Sequence, residues 1–121
     1  MLYLLNTLME GSRVKDITTT FDEEIKQGKP TFVKFFAPWC GHCKALAPKF
    51  EELANKLEGS EIVAAQVDCT ANGEICRQES VRGYPTLRFY NDGVFVEQYK
   101  GVREADSMKS WLEERMNPQN E

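Results

Sequence analysis

Residues 31–48 read TFVKFFAPWCGHCKALAP, and the chemistry they can do is sulfur chemistry. Cys40 and Cys43 flank Gly41 and His42, the chain's single histidine. An aromatic, β-branched run precedes the pair and an apolar-periodic run follows it, so Cys40 falls where a strand hands over to a helix. Unpaired N–H groups and the positive dipole end of a helix favour a thiolate there, and a protonated His42 adds a second favourable charge. Lys44 adds positive potential beside the pair. Lowering the Cys40 pKa stabilises the dithiol, which makes the corresponding disulfide more oxidising. Cys43, one helical turn on, is placed to act as the resolving thiol. The rival uses are a zinc site completed by His42, Cys69 or Cys76, and an inert bridge. Tetrahedral zinc sites usually pair two Cys-x2-Cys knuckles in loops, whereas the second spacing here is Cys-x6-Cys and the first pair opens a helix. An inert bridge fits poorly with an exposed two-residue loop behind a tryptophan. The redox reading therefore leads, and it requires neither a metal nor an organic cofactor.

Cys69 and Cys76 rank the other way. A structural disulfide tying a strand end to the next helix is the simpler reading, and a second catalytic pair is its rival. Such a bridge closes a small loop and stabilises by about 2 kcal/mol on loop entropy. It also argues for an oxidising compartment.

The elements that must position these residues follow from pattern. Val14 to Ile17 suits a short strand, and Thr20 with Glu23 forms a capping box for a helix over Phe21 to Gln27. Gly28-Lys29-Pro30 ends that helix. TFVKFF suits a buried central strand. The helix after the cysteines presents Leu46, Phe50, Leu53 and Leu57 on one face, ends at Gly59, and contains Pro48, a kink signal. EIVAAQVD is a second apolar strand, and Asn72 to Ser80 a short helix. TLRFY and VFVEQY are strands joined by Asn91-Asp92-Gly93, a hairpin signal. Ala105 to Met116 is a closing helix with Met108, Trp111, Leu112 and Met116 on one face. The order is β-α-β-α-β-α-β-β-α. Trp111, Phe35, Phe36, Phe89 and Phe95 are expected in the core. Glu51-Glu52 and Glu113-Glu114 are expected on solvated helix faces.

The totals bound the rest. A chain of 121 residues suits one domain and buries roughly 65% of the surface its unfolded form exposes. A net charge of −4 with scattered basic residues excludes the electrostatic footprint of nucleic-acid binding. No apolar run approaches the roughly 18 residues of a membrane span. In MLYLLNTLMEGS the apolar run is short, is broken by Asn6 and Thr7, and lacks a basic start. Leu2, Leu5, Leu8 and Met9 fall at helical spacing, so residues 1–12 are expected to form an extension or linker helix. Residues 117–121 are expected to be a disordered tail, without a retention tetrapeptide.

FFAPWCGHCKALAP, VDCT and RGYPTLRFY arrive in register with the ending GVREADSMKSWLEER. Together they resemble a catalytic thioredoxin-like domain of the protein disulfide isomerase family, over residues 13–116. The resemblance implies an α/β thioredoxin fold, a central mixed sheet flanked by helices. It implies that Cys40 is the nucleophile and Cys43 the resolving cysteine of a Cys40-Gly41-His42-Cys43 motif. Pro85 is implied to be cis, with Tyr84 offering its backbone to an extended substrate, and Trp39 to shield one side of the first sulfur. Arg103 matches a family arginine that approaches the resolving cysteine. Lys34 departs from the pattern, because many members carry a buried carboxylate there and a lysine where this chain has Gln66. A buried, unpaired ammonium is costly, so Lys34 needs a lowered pKa or a partner. Two readings stay open: Lys34, or a water it holds, takes over proton transfer, or its head snorkels to solvent.

The expected activity is thiol–disulfide oxidoreduction on cysteine-containing client polypeptides, by a monomeric domain of a longer protein. The endoplasmic-reticulum lumen is the expected place, with a thiol oxidase or glutathione for reoxidation and no nucleic-acid or membrane partner. The alternatives are a thioredoxin-like reductase in a reducing compartment, and a client-binding module whose cysteine pair is incidental.

Overall fold

The computed structural model describes residues 11–117. The extension helix expected on Leu2, Leu5, Leu8 and Met9, and the tail beyond residue 117, lie outside the described residues. Nine elements follow in the predicted order: β1 (Lys15–Asp16), α1 (Phe21–Lys26), β2 (Thr31–Phe36), α2 (Gly41–Lys56), β3 (Val63–Asp68), α3 (Gly73–Gln78), β4 (Thr86–Asn91), β5 (Val94–Gln98) and α4 (Ala105–Met116).

The strands form one mixed sheet in the order β1-β3-β2-β4-β5. β2 lies at its centre, parallel to β3 and antiparallel to β4. Its residues Thr31 to Phe35 are all buried, as its unbroken β-branched and aromatic run requires of a strand covered on both faces. One face packs Phe32, Ala64, Leu87 and Phe89 against Leu46, Phe50, Leu53 and Leu57 of the α2 region and Met108 and Leu112 of α4. The other packs Val33, Phe35, Ala65 and Val67 against Phe21 and Ile25 of α1 and Ile75 and Cys76 of α3. Alternation along β2 therefore sends Phe32, Lys34 and Phe36 toward α2.

The β4–β5 hairpin turns at Asp92 and Gly93, with φ of +54° and +84°. Two successive positive φ values make a primed turn, the reason an Asp-Gly pair stands there. Gly59, at φ +86°, follows the α2 region as predicted. Pro48 lies within α2, which continues through it as a single helix.

Two expectations fail. Thr20 is the N-cap of α1, but its side chain makes no capping bond. Its ψ of 18° is far from the extended value that aims a capping oxygen at the first-turn N–H groups. Asp22, Glu23 and Glu24 place negative charge on that helix end instead. Phe95 is not core and stays 52% exposed. β5 is the outermost strand, and Phe95 lies edge-on to the Tyr90 ring, at 5.9 Å, with the Arg88 guanidinium 5.5 Å above it.

Candidate active site

Cys40 is the N-cap residue of α2, and the Cys43 N–H donates to its sulfur at 3.3 Å. The thiol in turn donates to the Tyr84 carbonyl at 3.6 Å. The loop before β4 is thus held against the helix mouth, and Thr86 Oγ1 closes it onto the Gly83 carbonyl at 2.7 Å. The Tyr84–Pro85 peptide bond is cis. Trp39 stands 68% exposed beside the pair, edge-on to Tyr84 at 6.0 Å. Gly41 begins the helix with open space around it, and His42 is exposed.

The two thiols sit in opposite environments. The Cys43 thiol, the Cys43 and His42 backbone N–H groups and the Arg103 charge together lower the Cys40 pKa, against a smaller cost of burial. Desolvation raises that of Cys43, helped by the neighbouring Cys40 and offset in part by the Ala37 backbone and the Lys34 charge. The His42 backbone N–H is among the groups that lower the Cys40 pKa. Arg103, which the resemblance puts near the resolving cysteine, acts on Cys40.

Lys34 is 5% exposed as a whole residue. Its Nζ lies 5.0 Å from the Phe36 ring and 5.1 Å from the Phe50 ring. Burial lowers its pKa, while Glu51 and Cys43 oppose that shift. In register, β3 offers it Gln66 and β4 offers Leu87. Glu51, expected on a solvated face, is half-buried and accepts a 2.7 Å hydrogen bond from Ser12. Helical spacing carries the missed signal: positions 43, 47, 50 and 51 form one stripe. Glu52, Glu113 and Glu114 are exposed as expected.

Cys69 and Cys76 form a disulfide with a Cα–Cα separation of 5.7 Å, both residues buried. It joins the end of β3 to α3, and the Val81 N–H donates to the Cys76 carbonyl at 2.9 Å on the way to the Tyr84 loop.

The family model for thioredoxin matches residues 13–114. The chain is 45% identical over 105 residues to a protein disulfide-isomerase of Oryctolagus cuniculus, covering 84% of this chain and 21% of that protein. It is 47% identical over 93 residues to one of Humicola insolens, covering 77% of this chain and 18% of that protein. It thus spans about a fifth of the length of these curated relatives. Among solved structures, the Trx4 domain of ERdj5 superposes with a TM-score of 0.79 at 32% identity, covering 88% of this chain and 97% of that one.

Proposed function

The chain belongs to the thioredoxin family, and from that premise we propose that it is a thiol–disulfide oxidoreductase that forms and isomerises disulfide bonds in cysteine-containing polypeptides. The observation that carries the reading is the opposed setting of the two thiols at the mouth of α2, Cys40 favoured as thiolate and Cys43 held as thiol.

In the oxidising direction a client thiolate attacks Sγ of Cys40 in the Cys40–Cys43 disulfide. That bond breaks, and Cys43 leaves as a thiolate and takes up a proton. A second client thiolate then attacks the client sulfur of the mixed disulfide, and Cys40 leaves. Two electrons have passed from the client to the pair. A low Cys40 pKa makes it the better leaving group. In the reverse direction Cys43 loses its proton and attacks Cys40 to release the client. The Lys34 ammonium favours the Cys43 thiolate in both directions. Arg103 favours the Cys40 thiolate. Trp39, Tyr84 and Pro85 form the wall along which an extended client lies, with the backbone of Tyr84 available to it. Gly41 and His42 complete the loop between the sulfurs, and His42 favours the dithiol.

The domain works as a monomer in the endoplasmic-reticulum lumen, reoxidised by a thiol oxidase or glutathione. Support comes from relatives named protein disulfide-isomerase and from the Cys69–Cys76 bridge, since structural disulfides persist in oxidising compartments. A glutathione redox titration read by alkylation and peptide mass tests the reading. The expected Cys40/Cys43 midpoint lies near that of protein disulfide isomerase, about −180 mV, with Cys69–Cys76 oxidised throughout. A midpoint near the roughly −270 mV of thioredoxin, with Cys69 and Cys76 titrating as free thiols, would make the chain a reductase.

A further inference from the structure

Three cations converge on the mouth of α2 from three separate segments, and the fold uses none of them in an ion pair. Lys44 stands in the first turn of α2, its N–H donating to the Cys40 carbonyl at 3.0 Å. Arg82 stands two residues before Tyr84, whose carbonyl accepts from the Cys40 thiol at 3.6 Å. Arg103 stands in the loop before α4. That loop is held beside α2 by the ion pair of Glu104 with Lys49, and the Tyr99 hydroxyl donates to its Val102 carbonyl. Lys44, Arg82 and Arg103 are all exposed, and among the described residues none makes an ion pair or a side-chain hydrogen bond. The acidic residues of the adjoining segments are engaged elsewhere: Glu104 by Lys49, Glu79 by the Tyr90 hydroxyl, and Asp68, at the end of β3, by Thr70. Glu74 lies in the first turn of α3, at the positive end of its own short helix. The whole chain carries a net charge of −4, so unopposed positive charge around Cys40 runs against the sign of the molecule. Trp39 and Val102 add exposed apolar surface from the same segments.

We propose that Arg82 and Lys44, within the field of Arg103, select clients whose reacting cysteine is flanked by acidic residues. The inference rests on the redox reading above and names the client class of that same site. The chemical step is unchanged: the client thiolate attacks Sγ of Cys40, the Cys40–Cys43 bond breaks, and Cys43 leaves. An extended chain advances about 3.3 Å per residue, so a client residue two places from its cysteine lies about 7 Å along the chain from it. Arg82 is separated from Tyr84 by the same two residues, a span of at most about 7 Å. A client laid along the Tyr84 backbone therefore brings its flanking side chains within reach of the Arg82 guanidinium. Gly83, between the two, adds no side chain and has open space around it. Exposed ion pairs are individually weak, and charge complementarity acts mostly on encounter rate and on rejection of partners of the wrong sign. Selection thus shows in the rate of mixed-disulfide formation, with lysine-flanked clients slowed rather than excluded.

The test uses the full chain in its Cys40–Cys43 disulfide form. Three synthetic dithiol peptides reduce it, identical except for Asp, Asn or Lys on either side of the attacking cysteine. Reactions are quenched with acid and read by alkylation and mass. Each rate is divided by the thiolate fraction of its peptide, since acidic flanks raise a cysteine pKa. The Asp peptide is expected to react about tenfold faster than the Lys peptide at low salt, with the Asn peptide between them. The ratio should fall toward one as salt rises from about 0.01 M to about 1 M and the Debye length shrinks from about 30 Å to about 3 Å. Arg82→Gln/Lys44→Gln should cut the ratio to about threefold, and Arg82→Glu/Lys44→Glu should bring it to one or below. Both double variants change exposed side chains that the fold does not pair. A wild-type ratio near one, or a ratio that neither double variant moves, overturns the inference and leaves the redox reading standing. Reduced glutathione, run as a fourth thiol, is the other source of carboxylates beside a sulfur. A double variant that slows glutathione while the peptide ratio holds assigns the cations to glutathione and overturns the client selection. A disulfide that none of the four thiols reduces overturns the redox reading, and this inference with it.

Discussion

Cys40 and Cys43 are chemically identical and lie one helical turn apart, yet their surroundings separate them. Cys40 faces donors and a cation, whereas burial dominates at Cys43 and the Ala37 backbone and Lys34 charge offset only part of it. Alkylation by iodoacetamide, which consumes thiolate, should therefore modify Cys40 well below the ordinary cysteine pKa of about 8.5, and Cys43 above it. Arg103→Ala removes one of the groups acting on Cys40, so the Cys40 profile should move up, with alkylation at pH 6 slower by about twofold. A profile unchanged by that substitution would leave the arginine without a part in thiolate formation. The cysteine pair was legible from spacing alone, because a helix start after a strand fixes where the first sulfur sits. The half-burial of Glu51 was not, since nothing in an adjacent acidic pair says that Ser12, 39 residues away, bonds one of its members. Phe95 misled for the opposite reason: an aromatic in a strand is buried only if something covers that strand.

At the scale of elements, the site is a junction of α2 with the loop before β4, and both are tied back to the sheet. α2 is anchored by Leu46, Phe50 and Leu53, so its mouth cannot drift from β2. The loop follows α3, which is pinned to β3 by Cys69–Cys76 and to β4 by Arg88 on the Glu79 carbonyl and Tyr90 on the Glu79 carboxylate. A Cys69→Ser/Cys76→Ser double variant should lose about 2 kcal/mol in chemical denaturation, a fall in Tm of about 8 °C. Its Cys40/Cys43 midpoint should stay nearly in place if the bridge is purely structural. A midpoint that moves by tens of millivolts, or a bridge that opens in step with Cys40 and Cys43, would make the second pair part of the redox machinery. In the hairpin, Gly93→Ala should cost about 1 kcal/mol by forcing a side chain to positive φ. Element order, hairpin and closing helix were readable because each rests on local periodicity or a turn residue. The capping box failed because a two-residue pattern cannot see the backbone angle Thr20 adopts at the end of its turn. The cis bond before Pro85 came through family resemblance alone, since local sequence favours trans.

For the whole molecule, the thiol environments and the folding equilibrium are one thermodynamic cycle. The dithiol form carries a term that the disulfide form lacks: Cys40, whose pKa in the folded state lies below its unfolded value. Between those two values the unfolded chain binds a proton at Cys40 that the folded chain does not, so stability rises with pH across that window. Below the folded value the term is gone, and above the unfolded value it is fully present. Cys43 is shifted the other way and remains a thiol in both states until pH exceeds its unfolded value, so within the window the slope belongs to Cys40. Residues that titrate alike in both redox forms cancel when the two are compared. Urea unfolding of the dithiol and disulfide forms, at steps from pH 5.5 to 8, should give a stability difference that moves toward the dithiol as pH rises. The same shift must appear, through the cycle, as a pair potential that departs from the simple two-proton pH slope over the same range. A stability difference flat across that range would mean that Cys40 has no preferred thiolate in the fold, and the assignment of attacking and resolving thiols would lose its physical basis.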